Sequence, residues 1–230
     1  MPYSPTAMVV DFARAILDAG CERKREYAAA CAFLRGRSSV LDVACGTGTF
    51  LRQFGPGAIG IDINPENVEF CLQQGLDARV GSALQLPFQD RAFEAVHCSH
   101  LMQVFNPDQA VTLIRELARV TVPGGRIVLT TLSDFRRFFR HPENVRPYPP
   151  DAIRRLFGKQ RGAQSPMFQA MPTLIERSIW LRHPALLELN FSSSARLARI
   201  GAVLAAGQRV VGLRKFWQFD AFVMCLERQG

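Results

Sequence analysis

The fold of this 230-residue chain is decided by the stretch Val40–Thr49, which reads VLDVACGTGT. Its first half is a short apolar run, and its second half is a turn that contains Gly46 and Gly48. A buried strand that enters a glycine turn and then a helix lets the backbone approach a ligand closely, because glycine lacks a Cβ atom and adopts positive φ. The stretch therefore predicts a strand–turn–helix unit that binds a ligand at the end of a buried strand.

The next apolar run, 58–63, carries an aspartate near its end, and the first run carries Asp42. The second run ends near Asp62, which follows Asp42 by twenty residues, and a carboxylate at that place is suited to accept hydrogen bonds from a ribose diol. Capping of the following helices is an alternative role for both aspartates. A dinucleotide fingerprint would have a third glycine where Leu51 stands. The two features therefore predict a nucleoside-containing cofactor that is not a dinucleotide.

Strands and helices alternate along most of the chain. Further strands are predicted over 93–98 and 126–131, and helices over 7–19, 22–34, 64–74, 107–120 and 192–206. This alternation is typical of βαβ units, in which helices cover both faces of a parallel sheet. The last two predicted strands, 209–216 and 218–228, are joined tightly, so we expect a hairpin that adds an antiparallel strand at or near the edge of the sheet.

Residues 133–190 fit neither part of this plan. The segment is rich in Pro, Phe and Arg, and short helical pieces are predicted at 151–157 and 174–181. A long insertion after the carboxyl end of a strand usually lies over the ligand crevice. It contains Phe135, Phe138, Phe139, Phe157 and Phe168, with Arg136, Arg137, Arg140, Arg146, Arg154 and Arg155. We expect a lid over an aromatic or lipophilic substrate, with a packed core and a solvated basic face as the alternatives.

The charge of the chain is concentrated in its second half. The net charge is +8 and the pI is about 9.7, values that are typical of nucleic-acid binders. Residues 1–123 hold 11 basic and 13 acidic side chains, a net charge of −2, whereas residues 124–230 hold 17 and 7, a net charge of +10. Almost all of the later basic residues are arginines, which favour bidentate contact with carboxylate or phosphate. The charge is therefore compatible with an anionic small substrate as well as with RNA.

The composition indicates a folded protein in a reducing compartment. Apolar residues make up 48% of the chain and charged residues 21%, which excludes disordered and collagen-like classes. The six cysteines are scattered without a CxxC pair, so neither a metal site nor a disulfide framework is expected. We see no secretory leader and no run of about 20 apolar residues. We expect a cytoplasmic monomer or homodimer.

The ordered set of motifs resembles that of the class I S-adenosylmethionine-dependent methyltransferases. LDVACGTG at 41–48 resembles their first motif, IGID at 59–62 their second and GSALQLPF at 81–88 their third. Residues 93–100 resemble the fourth strand, and PGGR at 123–126 the turn before the fifth. Each match is weak alone, but the ordered set is strong. The sequence is most similar in character to the small-molecule group that includes ubiquinone- and menaquinone-biosynthesis methyltransferases.

This resemblance implies a fold and a domain plan. The fold is α/β and Rossmann-like, a doubly wound, mostly parallel seven-stranded sheet with an antiparallel C-terminal hairpin strand and a mainly helical insertion after strand 5. The chain would be a single methyltransferase domain over 1–230. Its parts would be an N-terminal helical cap (1–37), a cofactor-binding half (38–132), a substrate lid (133–190) and a final helix with a β-hairpin (191–230).

The resemblance also implies how the first two motifs bind S-adenosylmethionine. Gly46 and Gly48 would make room for its aminoacyl portion. Asp42 would steady the loop or meet the amino group through water. Asp62 would bind the ribose hydroxyls, and Ile63 would pack against adenine.

The remaining motifs complete the implied cofactor site with one departure from the family. Ser82 stands where an aspartate usually accepts from the adenine amino group, so adenine is expected to meet Ser82 and the backbone of Ala83 and Leu84. Ala44 replaces the first glycine of the first motif, a change that the family often shows. Ser99, at the end of the fourth strand, is the last residue of the predicted cofactor site.

A general base is required only where the acceptor carries a proton at the working pH. His100, just past the fourth strand, is the first candidate, because that position faces the cofactor in this fold; capping or packing is its alternative role. His141, Tyr148 and His183 in the insertion are weaker candidates, and His97 within the strand is expected to pack.

The predicted function is methyl transfer from S-adenosylmethionine to a small acceptor, aromatic or lipophilic and in some cases anionic. O-methylation is favoured over C- or N-methylation. The competing hypothesis is methylation of tRNA or rRNA through the basic C-terminal half. Against it, the fourth strand lacks the Asn/Asp-Pro-Pro-Tyr/Phe signature of amino-group methylation of bases, and no Pro-Cys nucleophile is present. A cofactor-binding protein without catalysis is a third alternative.

Overall fold

The structure is a computed structural model that describes residues 22–132, 138–139, 141–157, 174–182, 189–192 and 221–229. The helices are α1 (Glu22–Leu34), α2 (Thr49–Phe54), α3 (Pro65–Gln73), α4 (Pro107–Val120) and α5 (Pro150–Phe157), with a short 3-10 helix at Met102–Val104. The strands are β1 (Val40–Val43), β2 (Ala58–Asp62), β3 (Ala78–Val80), β4 (Phe93–Ser99), β5 (Thr121–Leu132), β6 (Leu174–Arg182), β7 (Leu189–Ser192) and β8 (Ala221–Arg228).

The strands form one sheet in the order β3-β2-β1-β4-β5-β8-β6-β7. The first five in this order are parallel, and β8, β6 and β7 join by antiparallel pairing. From β1 the chain runs outward to β2 and β3, and then continues on the other side of β1 with β4 and β5. Ligands of open α/β sheets bind outside the carboxyl ends of the strands at such a switch point. The carboxyl ends of β1, β2 and β4 therefore locate the candidate site.

Apolar side chains cover the sheet on both faces. One layer packs α4 against the sheet through Leu113, Ile114 and Leu117, all fully buried. The other layer contains α1, whose Ala30 and Leu34 are also fully buried. Because successive side chains of a strand point to opposite faces, each parallel strand contributes to both layers. α1 and α2 thus share one face, and α1 packs on β5 and β8.

The structure confirms the α/β class and most of the predicted elements of the cofactor-binding half. The helices at Glu22–Leu34 and Pro107–Val120 have the predicted bounds. The helix after β2 begins at Pro65, with the side chain of Asn64 accepting from Glu66 N, as its sequence predicts. The fifth strand starts at Thr121, five residues earlier than predicted, and includes the Pro-Gly-Gly segment.

The largest correction concerns residues 174–181, which were expected to be helical and instead form β6. Ile175, Ile179 and Trp180 are β-branched or aromatic residues that favour strands. The decisive factor is the open edge of β8, which pairs with β6 from Leu174 to Arg182. The short strand β7 then pairs with β6 and completes a sheet of eight described strands. Within the described part of the insertion, α5 lies where the sequence predicts a helix, at 151–157.

Several predictions lie outside the described residues. They are the helix over 7–19, nearly all of the helix over 192–206, the strand over 209–216, and the single residues His183, Phe135, Phe168, Arg136, Arg137 and Arg140. The second strand of the predicted hairpin is present as β8, antiparallel to β5. Among the described helices, none is both long and apolar enough to cross a membrane.

Candidate active site

The loop between β1 and α2 has the backbone conformation that its glycines predict. Ala44, Gly46 and Gly48 have φ values of 59°, 52° and 75°, all in the left-handed region. A Cβ atom on Gly48 would lie 2.5 Å from Leu76 Cδ1 and 2.9 Å from Cys71 Sγ. Glycine at that position is therefore required by backbone conformation and by close packing together. The loop leaves its backbone free to approach a ligand at the carboxyl end of β1.

Asp62, at the end of β2, is 8% exposed and is held by three donors. Its Oδ2 accepts from Gly46 N at 2.8 Å, which ties the glycine loop to the neighbouring strand. Its Oδ1 accepts from Asn64 N at 2.9 Å and from Asn67 Nδ2 at 3.3 Å. The carboxylate is thus fixed in position at the predicted ribose site. Beside it, Ile63 is 75% exposed, an apolar side chain presented where adenine is expected.

The third motif forms a tight turn after β3. Ser82 Oγ accepts from Leu84 N at 3.2 Å, and the backbone N of Gln85 donates to Ser82 O at 3.2 Å. Ser82, Ala83 and Leu84 are all half-buried. The Ser82 hydroxyl keeps its own hydrogen and a second lone pair, so contact with adenine stays a prediction for this turn.

Asp42 lies inside the sheet and faces His97. Its Oδ1 is 2.7 Å from His97 Nδ1, and the two residues are 2% and 0% exposed. Burial raises the pKa of Asp42, and the charge and hydrogen bond of His97 oppose that rise. The ring of Phe50, in α2, stacks on the imidazole with centroids 3.9 Å apart. Of the two roles expected for Asp42, steadying the loop fits this arrangement, since the pair connects β1 and β4 directly beneath α2.

The carboxyl end of β4 carries two predicted residues, Ser99 and His100. His100 has a φ of 55°, and its N donates to Thr130 O at 2.8 Å. The Ser99 hydroxyl is buried, as is that of Thr130, its register partner on β5, and neither has a hydrogen-bond partner among the described residues. Buried hydroxyls without partners are uncommon in folded proteins. They mark the ends of β4 and β5 as a place where a polar ligand group fits.

The sequence did not reveal the partner of His100, which is Glu26 in α1. His100 Nε2 is 2.7 Å from Glu26 Oε2, across 74 residues of chain. The glutamate side chain is 1% exposed and that of His100 is 17% exposed. One signal was available: Glu26 precedes Ala30 and Leu34 at four-residue intervals, so it is an acidic residue on the apolar face of an otherwise packed helix.

A second residue that the sequence did not reveal is Gln103, in the 3-10 helix after β4, which connects the end of β5 to the insertion. Its Oε1 accepts from Thr131 Oγ1 at 3.1 Å, and its backbone oxygen accepts from Val145 N at 2.9 Å. Tyr148 is 3% exposed, and its hydroxyl donates to Phe105 O at 3.0 Å, which ties the phenol into the core. Burial also raises the pKa of Tyr148. The structure therefore brings the start of the insertion to the site edge.

The three candidates for a general base differ in their surroundings. His100 shares the sheet edge with the glycine loop and is paired with Glu26. His141 has a side chain that is 58% exposed, with Glu143 Oε1 at 3.7 Å from its Nδ1. The Tyr148 hydroxyl is occupied by Phe105. Within the described part of the chain, no group of three or more His, Cys, Asp or Glu side chains could hold a metal ion.

Comparison with known families agrees with this geometry. The family described as "Methyltransferase domain" matches residues 40–125, from β1 into β5. A solved structure of an S-adenosylmethionine-dependent methyltransferase from Thermotoga maritima superposes with a TM-score of 0.62 at 16% identity, covering 97% of each chain. At that identity the likeness shows the fold. Residues 40–125 are thus similar to a methyltransferase domain, and the fold around them is the one that S-adenosylmethionine-dependent methyltransferases have.

Two curated relatives match over parts of their length. The demethylmenaquinone methyltransferase of Deinococcus radiodurans is 34% identical over 160 residues, which cover 60% of this chain and 66% of that protein. The human "Probable tRNA methyltransferase 9B" is 34% identical over 94 residues, 40% of this chain and 21% of that protein. This chain thus spans one fifth of the human relative and just under two thirds of the bacterial one.

The family and the fold neighbours imply S-adenosylmethionine as the cofactor, and the described residues fit it. The glycine loop turns at positive φ, and a Cβ atom on Gly46 would meet no protein atom within 4 Å, which leaves open space beside the backbone there. Asp62 supplies a fixed carboxylate, and Ile63 an exposed apolar surface next to it. The unpartnered hydroxyls of Ser99 and Thr130 lie at the neighbouring strand ends. An elongated ligand with a polar diol and an apolar ring matches this order of groups.

Proposed function

We propose that this chain transfers a methyl group from S-adenosylmethionine to the oxygen of a small aromatic or lipophilic acceptor that carries a proton. The observation that carries this proposal is the position of the His100 imidazole, at the same sheet edge as the glycine loop and Asp62. A proton acceptor at the end of β4 suits a phenol or hydroxyl acceptor. The similarity to a demethylmenaquinone methyltransferase is compatible with a ring-shaped acceptor.

The residues of this chain act mainly by positioning the cofactor and the acceptor. When bound, S-adenosylmethionine supplies an electrophilic methyl group on a sulfonium with a good leaving group. Asp62 and the loop from Ala44 to Gly48 would hold it, while the acceptor is aligned at the ends of β4 and β5. Holding two reactants in line can remove about 7–11 kcal/mol of a barrier in well-oriented cases. His100 would take the acceptor proton as the oxygen–carbon bond forms.

RNA methylation is the second candidate, favoured by the similarity to a tRNA methyltransferase and by the net charge of +10 after residue 123. Several described arginines of that half are engaged within the fold. Arg154 pairs with Glu176 and Asp151, Arg177 pairs with Glu227, and Arg228 donates to backbone oxygens. A nucleic-acid surface needs cations directed outward to phosphates. The pairings of Arg154 and Arg177 with carboxylates at the surface neutralise part of the positive charge, which supports a small acceptor over RNA.

Cofactor binding is tested first, by titration calorimetry with S-adenosylmethionine. We expect binding by the wild-type chain and at least a tenfold weaker affinity in Asp62→Ala, with Asp77→Ala as the matched control on the exposed surface. Unaltered affinity in Asp62→Ala, or no binding by the wild type, would contradict the proposal.

The acceptor is tested next with labelled methyl groups. Bulk tRNA, rRNA and a panel of phenols, quinols, amines and carboxylic acids are compared at equal concentration. We expect transfer to phenolic or quinol oxygens. Transfer to RNA alone would make the second candidate correct.

A further inference from the structure

We propose that Glu26 is a positioning residue for methyl transfer: it fixes the proton of His100 on Nε2, so that Nδ1 is the atom that accepts the proton of the methyl acceptor. The inference deepens the proposed function and rests on it. It gives α1 a role in the reaction, since Glu26 lies in that helix and contacts His100 at the site edge.

The geometry of the pair is the first support. Glu26 Oε2 and His100 Nε2 are 2.7 Å apart, a short distance for a hydrogen bond, and one that a charge-assisted bond typically adopts. A carboxylate only accepts hydrogen bonds, so the shared proton belongs to Nε2 and the neutral ring carries its lone pair on Nδ1. The hydrogen bond on one ring nitrogen thus determines the chemistry of the other.

The unequal burial of the two partners is the second support. Glu26 is enclosed, with a side chain that is 1% exposed, whereas His100 is 17% exposed. The enclosed partner cannot itself reach a ligand in the crevice, and the partly exposed one can. Glu26 therefore holds the imidazole from the buried side, and the exposed side of the His100 ring lies at the sheet edge.

The backbone at His100 is the third support. A φ of 55° is uncommon outside glycine and costs of order 1–3 kcal/mol where it persists. The bond from His100 N to Thr130 O at 2.8 Å continues the parallel pairing of Ser99 with Thr130, so the chain leaves the line of β4 at His100 itself. The turn brings the imidazole to Glu26 instead of continuing the strand. Ser99 and Thr130, with their unpartnered hydroxyls, lie at the base of this turn.

The step balances with the two reactants already named. The acceptor O–H gives its proton to His100 Nδ1, the oxygen forms a bond with the methyl carbon, and the carbon–sulfur bond breaks with its electron pair moving to sulfur. S-adenosylhomocysteine and the methyl ether leave. The imidazolium that forms lies next to the Glu26 carboxylate, which stabilises its positive charge. The imidazolium then gives the proton to water.

The first test needs no acceptor and reads the tautomer by ¹⁵N NMR of histidine-labelled full-length protein at pH 8, assigned by single His→Gln variants. We expect the His100 proton on Nε2 in the wild type and in Glu26→Gln, whose amide oxygen still accepts. In Glu26→Leu we expect a mixture of tautomers. A wild-type His100 with its proton on Nδ1 would overturn the proposal.

The second test asks whether Nδ1 faces the bound cofactor, with diethyl pyrocarbonate as the probe of unprotonated imidazole. We expect S-adenosylhomocysteine to slow modification of His100 at least fivefold and to leave His141, which is well exposed, unaffected. Buried His97 serves as the unreactive reference. Equal modification of His100 with and without the ligand would overturn the proposed orientation. Calorimetry on the same samples separates this result from a failure to bind cofactor at all.

The third test uses acceptors of different acidity from the labelled-methyl panel. For a phenol that is protonated at the assay pH, we expect Glu26→Leu to lower kcat about 100-fold, within the range of general-base effects. For 4-nitrophenol, which is largely ionised at pH 8, the loss should be less than about fivefold. The affinity for S-adenosylmethionine should change less than about twofold, as in the control Glu69→Gln. Equal losses with both phenols would show a merely structural role and overturn the proposal.

Discussion

Two histidine–carboxylate pairs of the same length differ in the burial of their imidazole rings. Asp42 and His97 are 2.7 Å apart inside the sheet, and Glu26 and His100 are 2.7 Å apart at its edge. The first pair is enclosed on both sides, with Phe50 stacked on the ring, whereas the second leaves its imidazole partly open. His97 lies within β4, and His100, three positions later, lies one residue past the end of that strand. The position of a histidine relative to the end of β4 therefore separates a structural pair inside the sheet from a candidate proton acceptor at its edge.

The largest expected difference between the two pairs is in the loss of stability when the histidine is replaced. His97→Leu would leave the buried Asp42 carboxyl without its partner, and removing one partner of a buried pair costs about 3–5 kcal/mol. We expect the free energy of unfolding in urea to fall by that amount. The control is Asp42→Asn, which keeps a hydrogen-bonding group of the same shape and is expected to lose about 1–3 kcal/mol. Near-equal stability of wild type and His97→Leu would contradict an enclosed structural pair.

A smaller effect is expected where the ring stacking is removed. Phe50→Leu takes away the aromatic face that packs on His97, at 3.9 Å between ring centroids. Lost packing and stacking together predict a decrease of about 1–2 kcal/mol in the free energy of unfolding. The matched control is Phe54→Leu, one helical turn away and only half-buried, for which a smaller loss is expected. Equal losses in the two variants would argue against a special contact with His97.

The pH dependence of stability tests the enclosed pair of Asp42 and His97 further. Burial raises the pKa of Asp42 above its ordinary value of 3.8, so the folded state binds a proton more tightly than the unfolded chain. The stabilising contribution is complete below that ordinary value and is lost as the pH rises through the raised pKa. We expect urea denaturation of the wild type to show this loss above pH 4 and Asp42→Asn to lack it. Parallel pH curves for the two proteins would contradict the assignment.

The smallest expected effect on stability belongs to the pair at the sheet edge. His100→Asn keeps a residue type that tolerates positive φ and removes the imidazole, and water can enter where the partly open ring stood. We expect a decrease of about 1 kcal/mol, the net contribution of an ordinary hydrogen bond, although methyl transfer to a protonated phenol should fall at least about 100-fold. A loss as large as that of His97→Leu would place both pairs in the same structural class.

The sequence predicted the secondary structure around the candidate cofactor site well because its signals are local. The glycines at 46 and 48, the carboxylate at the end of β2 and the helix at Pro107–Val120 follow from patterns within a few neighbouring residues. Their backbone conformations and strand ends are where the patterns place them. Local spacing was less informative for 174–181, where strand and helix preferences compete and the open edge of β8 decided the outcome.

The amino-acid sequence by itself determined the α/β class, the glycine loop and the order of the cofactor motifs, since each depends on short-range periodicity and on residues that allow unusual φ. The tertiary structure alone decided which carboxylate meets which histidine. Asp42 and His97 are 55 residues apart, and Glu26 and His100 are 74 apart. No local pattern records such a pairing, because it arises only when strands align in register and α1 packs across them. The burial that separates a structural pair from a candidate proton acceptor is likewise a property of the packed fold.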